Sequence, residues 1–290
     1  VKGTAILILA SVVCAGCARS SARLVIGMVP SSSPALMLSA FSPLKEYLRN
    51  ELGLPVEVSV AKSYQDLIRQ MARKEVDIGL YGPFSYILAE EGQRLSPLVL
   101  RDRRDLGLYY NSTIVARSDS AIHSIEDLRG QTMSFVDPAS TSGFLVPDAL
   151  FISRQVDIEK FFSSYHFAGT HDKVLDEVLQ GRAAAGAVSL SILNSRVAAG
   201  SISAGDLREL WRSESIPGSP FVARSGLSSA AKEGFIRAML RVHEADPSAL
   251  AAYDPSTLRF IRAEPEMYDG IRNIVSVLGK AYPMKYLLEH

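Results

Sequence analysis

The chain has 290 residues, with 31 Lys and Arg against 31 Asp and Glu, so its formal net charge is zero. The basic residues are scattered, which excludes the electrostatic footprint of a nucleic-acid binder. Its two cysteines are Cys14 and Cys17, so the sequence beyond them has no disulfide framework, no thiolate chemistry and no cysteine metal site.

Residues 1–16 read as an export signal, with Lys2 near the start, an apolar core over 5–13 and small residues before Cys17. The core is too short to span a bilayer, which takes about 20 residues. Ala15-Gly16-Cys17 resembles the end of a bacterial lipobox, with Cys14 where that motif usually has leucine. The resemblance implies that Cys17 is lipidated and begins the mature protein, that 17–22 is a polar linker, and that the protein meets a membrane only through this anchor. No later stretch is apolar enough for a transmembrane helix. The mature chain of about 270 residues exceeds the usual single domain, which predicts two lobes.

Strands and helices then alternate. Residues 24–30 form a buried-strand pattern, 36–52 an amphipathic helix closed by Gly53, 56–60 a strand, 64–73 a helix, 76–81 a strand, and Gly82-Pro83 opens a helix to 89. This alternation predicts an α/β lobe with a mostly parallel sheet and ligands at the carboxyl ends of its strands. Pro30, the loop 31–33, Tyr64 and residues 81–84 fall at such ends.

A second unit begins near Tyr109, with strands at 109–115 and 132–136 and a short helix at 125–128 between them. There follows Asp137-Pro138-Ala139-Ser140-Thr141-Ser142-Gly143-Phe144. Phe144, Leu145, Ala149 and Leu150 fit a helix, so three hydroxyl residues stand at its start. A helix N-terminus leaves its first N–H groups unpaired and carries partial positive charge, so this is an oxyanion cradle that needs no lysine. Gly143 is expected to keep its first turn open to a ligand. Ordinary capping uses the same residue types.

The alternation continues with a strand at 163–168, a helix capped by Gly169 or Thr170 and running to 179, a strand at 185–188 and a helix at 189–197. Residues 113–118 (TIVARS) resemble 220–225 (PFVARS), which suits a chain that crosses between two lobes and returns. Residues 216–220 form a rigid connection, and 228–243 and 265–278 read as helices. The expected architecture is two α/β lobes, 23–108 with 223–290 and 109–222, around a central cleft that closes on a small solute.

These residues resemble the substrate-binding proteins of phosphate, phosphite and phosphonate ABC transporters over nearly the whole mature chain. The likeness rests on residues 137–147, on Gly169-Thr170-His171-Asp172, on 76–86 with its Gly82-Pro83 turn, on Ala61-Lys62-Ser63-Tyr64 and on Leu108-Tyr109-Tyr110. It implies a type II periplasmic-binding-protein fold and a bacterial protein of the periplasm or cell surface. It further implies a monomer that delivers a phosphorus oxyanion to a permease and its ATPase, with no cofactor. Ser140, Thr141 and Ser142 would donate to the ligand oxygens. His171 would donate a ring N–H and can gain charge as the anion arrives. Tyr64 and Tyr109 would close from the other side, with Tyr110 competing for the inward position.

Relatives that take aminoalkylphosphonates place carboxylates where this chain has Ser191 and Ser219. A buried ammonium without a carboxylate is unfavourable, so the expected ligand has no amine: phosphite, methylphosphonate or phosphate. An enzyme reading built on Ser140, His171 and Asp172 is opposed by an acid directly following its histidine and by the lack of a Gly-x-Ser-x-Gly elbow. His123, His166, His243 and His290 are isolated from any metal-ligand spacing. A sensor that reports the same ligand to a partner such as a histidine kinase needs the same binding lobes, and the sequence does not separate it from a transporter component.

Overall fold

The computed structural model describes residues 23–279 and Tyr282. The expected signal segment, Cys17 and the linker lie outside the described residues.

In chain order the elements are β1 (Leu24–Met28), α1 (Pro34–Leu52), β2 (Val56–Val60), α2 (Tyr64–Ala72), β3 (Ile78–Leu80), α3 (Pro83–Glu90) and β4 (Ser96–Arg103). The chain then crosses through β5 (Tyr109–Tyr110) into β6 (Ser112–Arg117), β7 (Thr132–Phe135), a π-helical turn (Thr141–Leu145), α4 (Val146–Ser153), α5 (Ile158–Phe161) and β8 (Ser164–Phe167). Next come α6 (His171–Leu179), β9 (Ala185–Ser189), α7 (Leu190–Ala198) and β10 (Leu207–Arg212). It returns through β11 (Ile216–Pro217) to β12 (Pro220–Ala223), α8 (Ser229–Ala245), α9 (Pro247–Tyr253), β13 (Thr257–Arg262) and α10 (Asp269–Leu278).

Local chemistry explains the boundaries nearest the cleft. Gly53 closes α1 in the left-handed conformation at φ 64°, where its N–H reaches the Arg49 carbonyl. The Ser63 hydroxyl caps α2 by accepting from the Asp66 N–H at 3.1 Å, and Thr170 caps α6 by accepting from the Lys173 N–H at 3.2 Å. Both α3 and the connection into α4 carry proline in the first turn, where its missing N–H is harmless.

The strands form two large sheets, ordered β13-β4-β12-β3-β1-β2 and β10-β6-β9-β7-β8. Each is mixed rather than mostly parallel. β1 pairs in parallel with β2 and β3, and β7 with β8 and β9, whereas β12, β4, β13, β6 and β10 enter antiparallel. The two sheets share one plan, with β4-β12-β3-β1-β2 matching β10-β6-β9-β7-β8 in order and in direction. The similar segments 113–118 and 220–225 thus hold equivalent places, since β6 and β12 are the strands by which the chain enters each lobe from the other. β12 belongs to the first sheet from Pro220 onward, so the second lobe's own sheet ends with β10, before the boundary expected after residue 222.

Two crossings join the lobes, and they pair with each other as the β5–β11 ladder, Tyr110 opposite Ile216 and Tyr109 opposite Pro217. Beyond α10, the Tyr282 hydroxyl donates to the Asp148 carboxylate on α4, a further tie between lobes. Among the described residues no helix is long and apolar enough to cross a membrane.

Each lobe has an aromatic centre. In the first, Phe221 packs against Phe41, Phe235 and Phe260; in the second, Phe135 meets Phe144 at 5.2 Å and lies near Phe162, Tyr165 and Phe167. Phe135 is fully buried on the strand that leads into the cradle. Phe135→Ala is expected to lower unfolding free energy by about 3–5 kcal/mol, read as a shift of the urea midpoint without a change of slope.

Candidate anion-binding cleft

A cavity of about 90 Å³ lies between the lobes, lined at the carboxyl ends of β1 and β3 and at the starts of several helices. Tyr64 opens α2, Gly82 precedes α3, Ser140–Ser142 lead into the π turn and α4, His171 opens α6, and Ser189 and Ser191 flank the start of α7. Five helix N-termini therefore converge on one small volume, and their partial charges add to a positive potential.

The cradle is built by Ser140, which is extended at φ −78° and ψ 131°. Its hydroxyl accepts from the Gly143 N–H at 3.1 Å, and its carbonyl accepts from the Leu145 N–H at 3.0 Å, five residues on. That wider turn places Thr141 and Ser142 ahead of the first intrahelical bond, and their N–H groups take no partner among the described residues. The Thr141 hydroxyl oxygen accepts from the Phe84 N–H of the other lobe at 2.8 Å. Its own proton is left to donate, toward the cavity or the Tyr110 phenol that also lines it. Ser112 on β6 supports the turn by donating to the Ser142 carbonyl at 2.6 Å.

Gly143 acts differently from the sequence expectation. A Cβ there would stand 2.3 Å from the Val136 side chain and 2.8 Å from the Ser140 hydroxyl. Glycine is needed because the turn packs on its own preceding strand; it does not serve to leave room for a ligand.

His171 is buried, and its Nδ1 accepts from the Ser189 N–H at 3.0 Å. The neutral ring must then carry its proton on Nε2, which makes it a donor. Burial pushes its pKa down to about 3. The expected gain of charge as an anion arrives is therefore opposed twice, since a proton on Nδ1 would also break the Ser189 bond. Asp172, next in sequence, does not orient the ring; its carboxylate accepts from the Ser32 hydroxyl and from the Ser33 N–H at 3.1 Å, across the lobes.

Tyr64 lines the cavity, but the second inward tyrosine is Tyr110 rather than the expected Tyr109. Tyr109 is 52% exposed, while Tyr110 is 6% exposed. Neighbouring strand residues face opposite ways, and pairing with β11 sets which one turns in. Burial holds both Tyr64 and Tyr110 as protonated phenols; Asp137 adds to this at Tyr64, and the Ser142 and Thr141 hydroxyls partly offset it at Tyr110.

Ser191 and Ser219 both reach the cavity, and the Ser191 and Ser189 hydroxyls bond at 2.8 Å. Sequence reasoning missed Arg101 and Arg103, which also line it. They lie two residues apart on β4 and so share a face, and that strand was not read from the sequence. Among the described residues, none that lines the cavity is an Asp or Glu. The arrangement can hold an anion and exclude a cation.

Residues 26–268 match the family described as periplasmic substrate-binding proteins of phosphonate ABC transporters. The chain belongs to this family. Proteins of this kind bind a ligand for an ABC transporter and are not enzymes. Among its relatives is the phosphate-import protein PhnD of Mycolicibacterium smegmatis, 26% identical over 87% of this chain and 84% of that protein. The binding component of a Pseudomonas aeruginosa phosphonate transporter superposes with a TM-score of 0.80 at 23% identity, covering 87% of this chain and 85% of that one. PhnD1 of Prochlorococcus marinus, solved with methylphosphonate, gives 0.80 at 22% identity over 89% of this chain and 98% of that one. The fold is the type II periplasmic-binding-protein fold, as the sequence resemblance implied.

Two outcomes test this geometry. Because the His171 pKa is lowered in the folded protein, its contribution to stability is present above the unfolded value near 6.5 and is lost as pH falls toward 3. At pH 5 the loss from this residue should be about 2 kcal/mol, and His171→Gln should show a flatter pH profile of urea-unfolding free energy between pH 7 and 5. Gly143→Ala should destabilise by about 1–3 kcal/mol through overpacking against Val136, measured by the same unfolding curves.

Proposed function

We propose that this protein captures a small phosphorus oxyanion without an amine, such as phosphite, methylphosphonate or phosphate, and delivers it to an ABC importer. One observation carries the reading: the cleft is lined by hydroxyls, a neutral imidazole and two guanidiniums, with no carboxylate lining it among the described residues. Ser140, Thr141 and Ser142 would surround the phosphorus oxygens with hydroxyl and N–H donors, His171 would donate from Nε2, and Tyr64 and Tyr110 would donate phenolic O–H groups. Serines at 191 and 219 leave an ammonium without a counterion, and Arg101 and Arg103 would repel it. The methylphosphonate held by the Prochlorococcus marinus relative is a ligand of this size and charge.

Binding and closure act together in this reading. An oxyanion in the cradle touches donors from both lobes, so it favours the state in which Phe84 reaches Thr141 and Ser32 reaches Asp172. Lipidation of Cys17 would keep the protein, a monomer in the periplasm or at the cell surface, beside its permease and ATPase.

Thermal unfolding with phosphite, phosphate, methylphosphonate and aminoethylphosphonate tests the proposal. A true ligand at 100 times its Kd adds about 2.7 kcal/mol, and one of the first three should raise the melting temperature well above aminoethylphosphonate. Ser142→Ala should weaken that ligand by about tenfold in calorimetry. No shift with any of the four, or a preference for aminoethylphosphonate, defeats the reading.

A further inference from the structure

The charges of the two cleft arginines are not equally answered. Arg101 pairs with Asp254 and lies over the Tyr253 ring at 5.6 Å. Arg103, at the end of β4, is 9% exposed, and among the described residues its guanidinium makes no hydrogen bond and no ion pair. Asp254 is the carboxylate that acts on it, yet Asp254 is already bonded to Arg101 and accepts from the Ser256 N–H at 2.9 Å and hydroxyl at 2.7 Å. Two guanidiniums thus share one carboxylate. Burial and Arg101 lower the Arg103 pKa to about 10, which leaves it charged at neutral pH. A guanidinium that faces a cavity with no bonded counterion is open to an anion held there.

Position says which anion. The donors of the cradle, His171 and the tyrosines already suffice for one phosphoryl group. Arg103 comes from the opposite lobe, and with Arg101, Ser191 and Ile192 it lines both the inner cavity and an outer groove of about 660 Å³. These residues form the boundary between the cavity and the groove, whose outer wall also carries Asp105 and Asp254, the latter bonded to Arg101. We infer that Arg103 is a specificity-determining residue that receives a second anionic group of the ligand, a carboxylate or a second phosphoryl group, on the side of phosphorus that faces the outer groove. The planar fork of a guanidinium suits either group, which offers two parallel oxygens. The inference rests on the oxyanion reading above and narrows it to ligands that carry a second anionic group besides the bound phosphoryl.

Calorimetric titration with methylphosphonate, phosphonoacetate and pyrophosphate tests it on the wild type, Arg103→Gln and Arg103→Lys. Phosphonoacetate or pyrophosphate should bind the wild type at least about tenfold more tightly than methylphosphonate. Arg103→Gln should bring that ratio close to one. Arg103→Lys, which keeps the charge without the fork, should give a ratio in between, and reads the same effect if the glutamine variant does not fold. Phosphonoacetate tighter than pyrophosphate identifies the second group as a carboxylate, and the reverse order as a phosphoryl group. Binding of methylphosphonate with neither of the others tighter overturns the inference and leaves the oxyanion reading standing. An equal weakening of all three ligands in both variants also overturns it, because Arg103 would then serve the shared oxyanion or the fold. No binding of any of the three overturns the inference, and the oxyanion reading falls with it only if phosphite and phosphate also fail to bind.

Discussion

The hydrogen bond from the Phe84 N–H to the Thr141 hydroxyl joins the two lobes where each presents a helix N-terminus. One oxygen completes the first turn of α3 and belongs to the cradle at the start of α4. That oxygen is engaged by the other lobe, and its proton is left to donate toward the cavity or the Tyr110 phenol. The same economy recurs at His171, where Ser189 occupies Nδ1 and so fixes Nε2 as a donor. Groups that could have been either donor or acceptor are thus polarised in one sense by their backbone partners. A cavity of aligned donors favours anions before any full charge is counted.

Full charge then refines what neutral donors begin. Helix dipoles and hydroxyls attract an oxyanion but read little beyond its size and geometry. Guanidiniums fixed on a strand add direction, because β4 is held on both sides, by β12 and β13. A sheet strand is a firmer mount for a charged side chain than a surface loop, which is why alternation along β4 can aim Arg101 and Arg103 together while Asp102 turns outward to Arg259.

The cradle was legible in the sequence because its chemistry is contiguous: a strand, three hydroxyl residues and a helix in one run. His171 and Tyr64 came into view as ligand donors only through the family resemblance, each at a helix start beside a capping residue. The arginines did not. Residues 98–103 end in alternating charges, and β4 is a strand only because β12 and β13, more than a hundred residues later, supply its partners. β10 and β13 escaped for the same nonlocal reason, and the sheets were expected to be mostly parallel. The choice between Tyr109 and Tyr110 also rests on a distant partner, Ile216 on β11. Gly143 was placed correctly in the turn, but its neighbour across the turn, Val136, could be known only from the folded shape.

The place of β12 has a consequence for how the chain reaches this shape. It lies between β3 and β4, so the sheet of the first lobe has a gap until Pro220–Ala223 arrive. The second lobe's sheet, by contrast, is drawn from one unbroken stretch, β6 to β10, and has all its strands earlier in the chain. As the chain emerges in order, the later lobe is the first able to close its sheet, and the earlier lobe waits with two unpaired edges for a strand of high sequence separation. The sheet that carries Arg103 opposite the cradle therefore cannot be complete until the return strand has inserted beside β4.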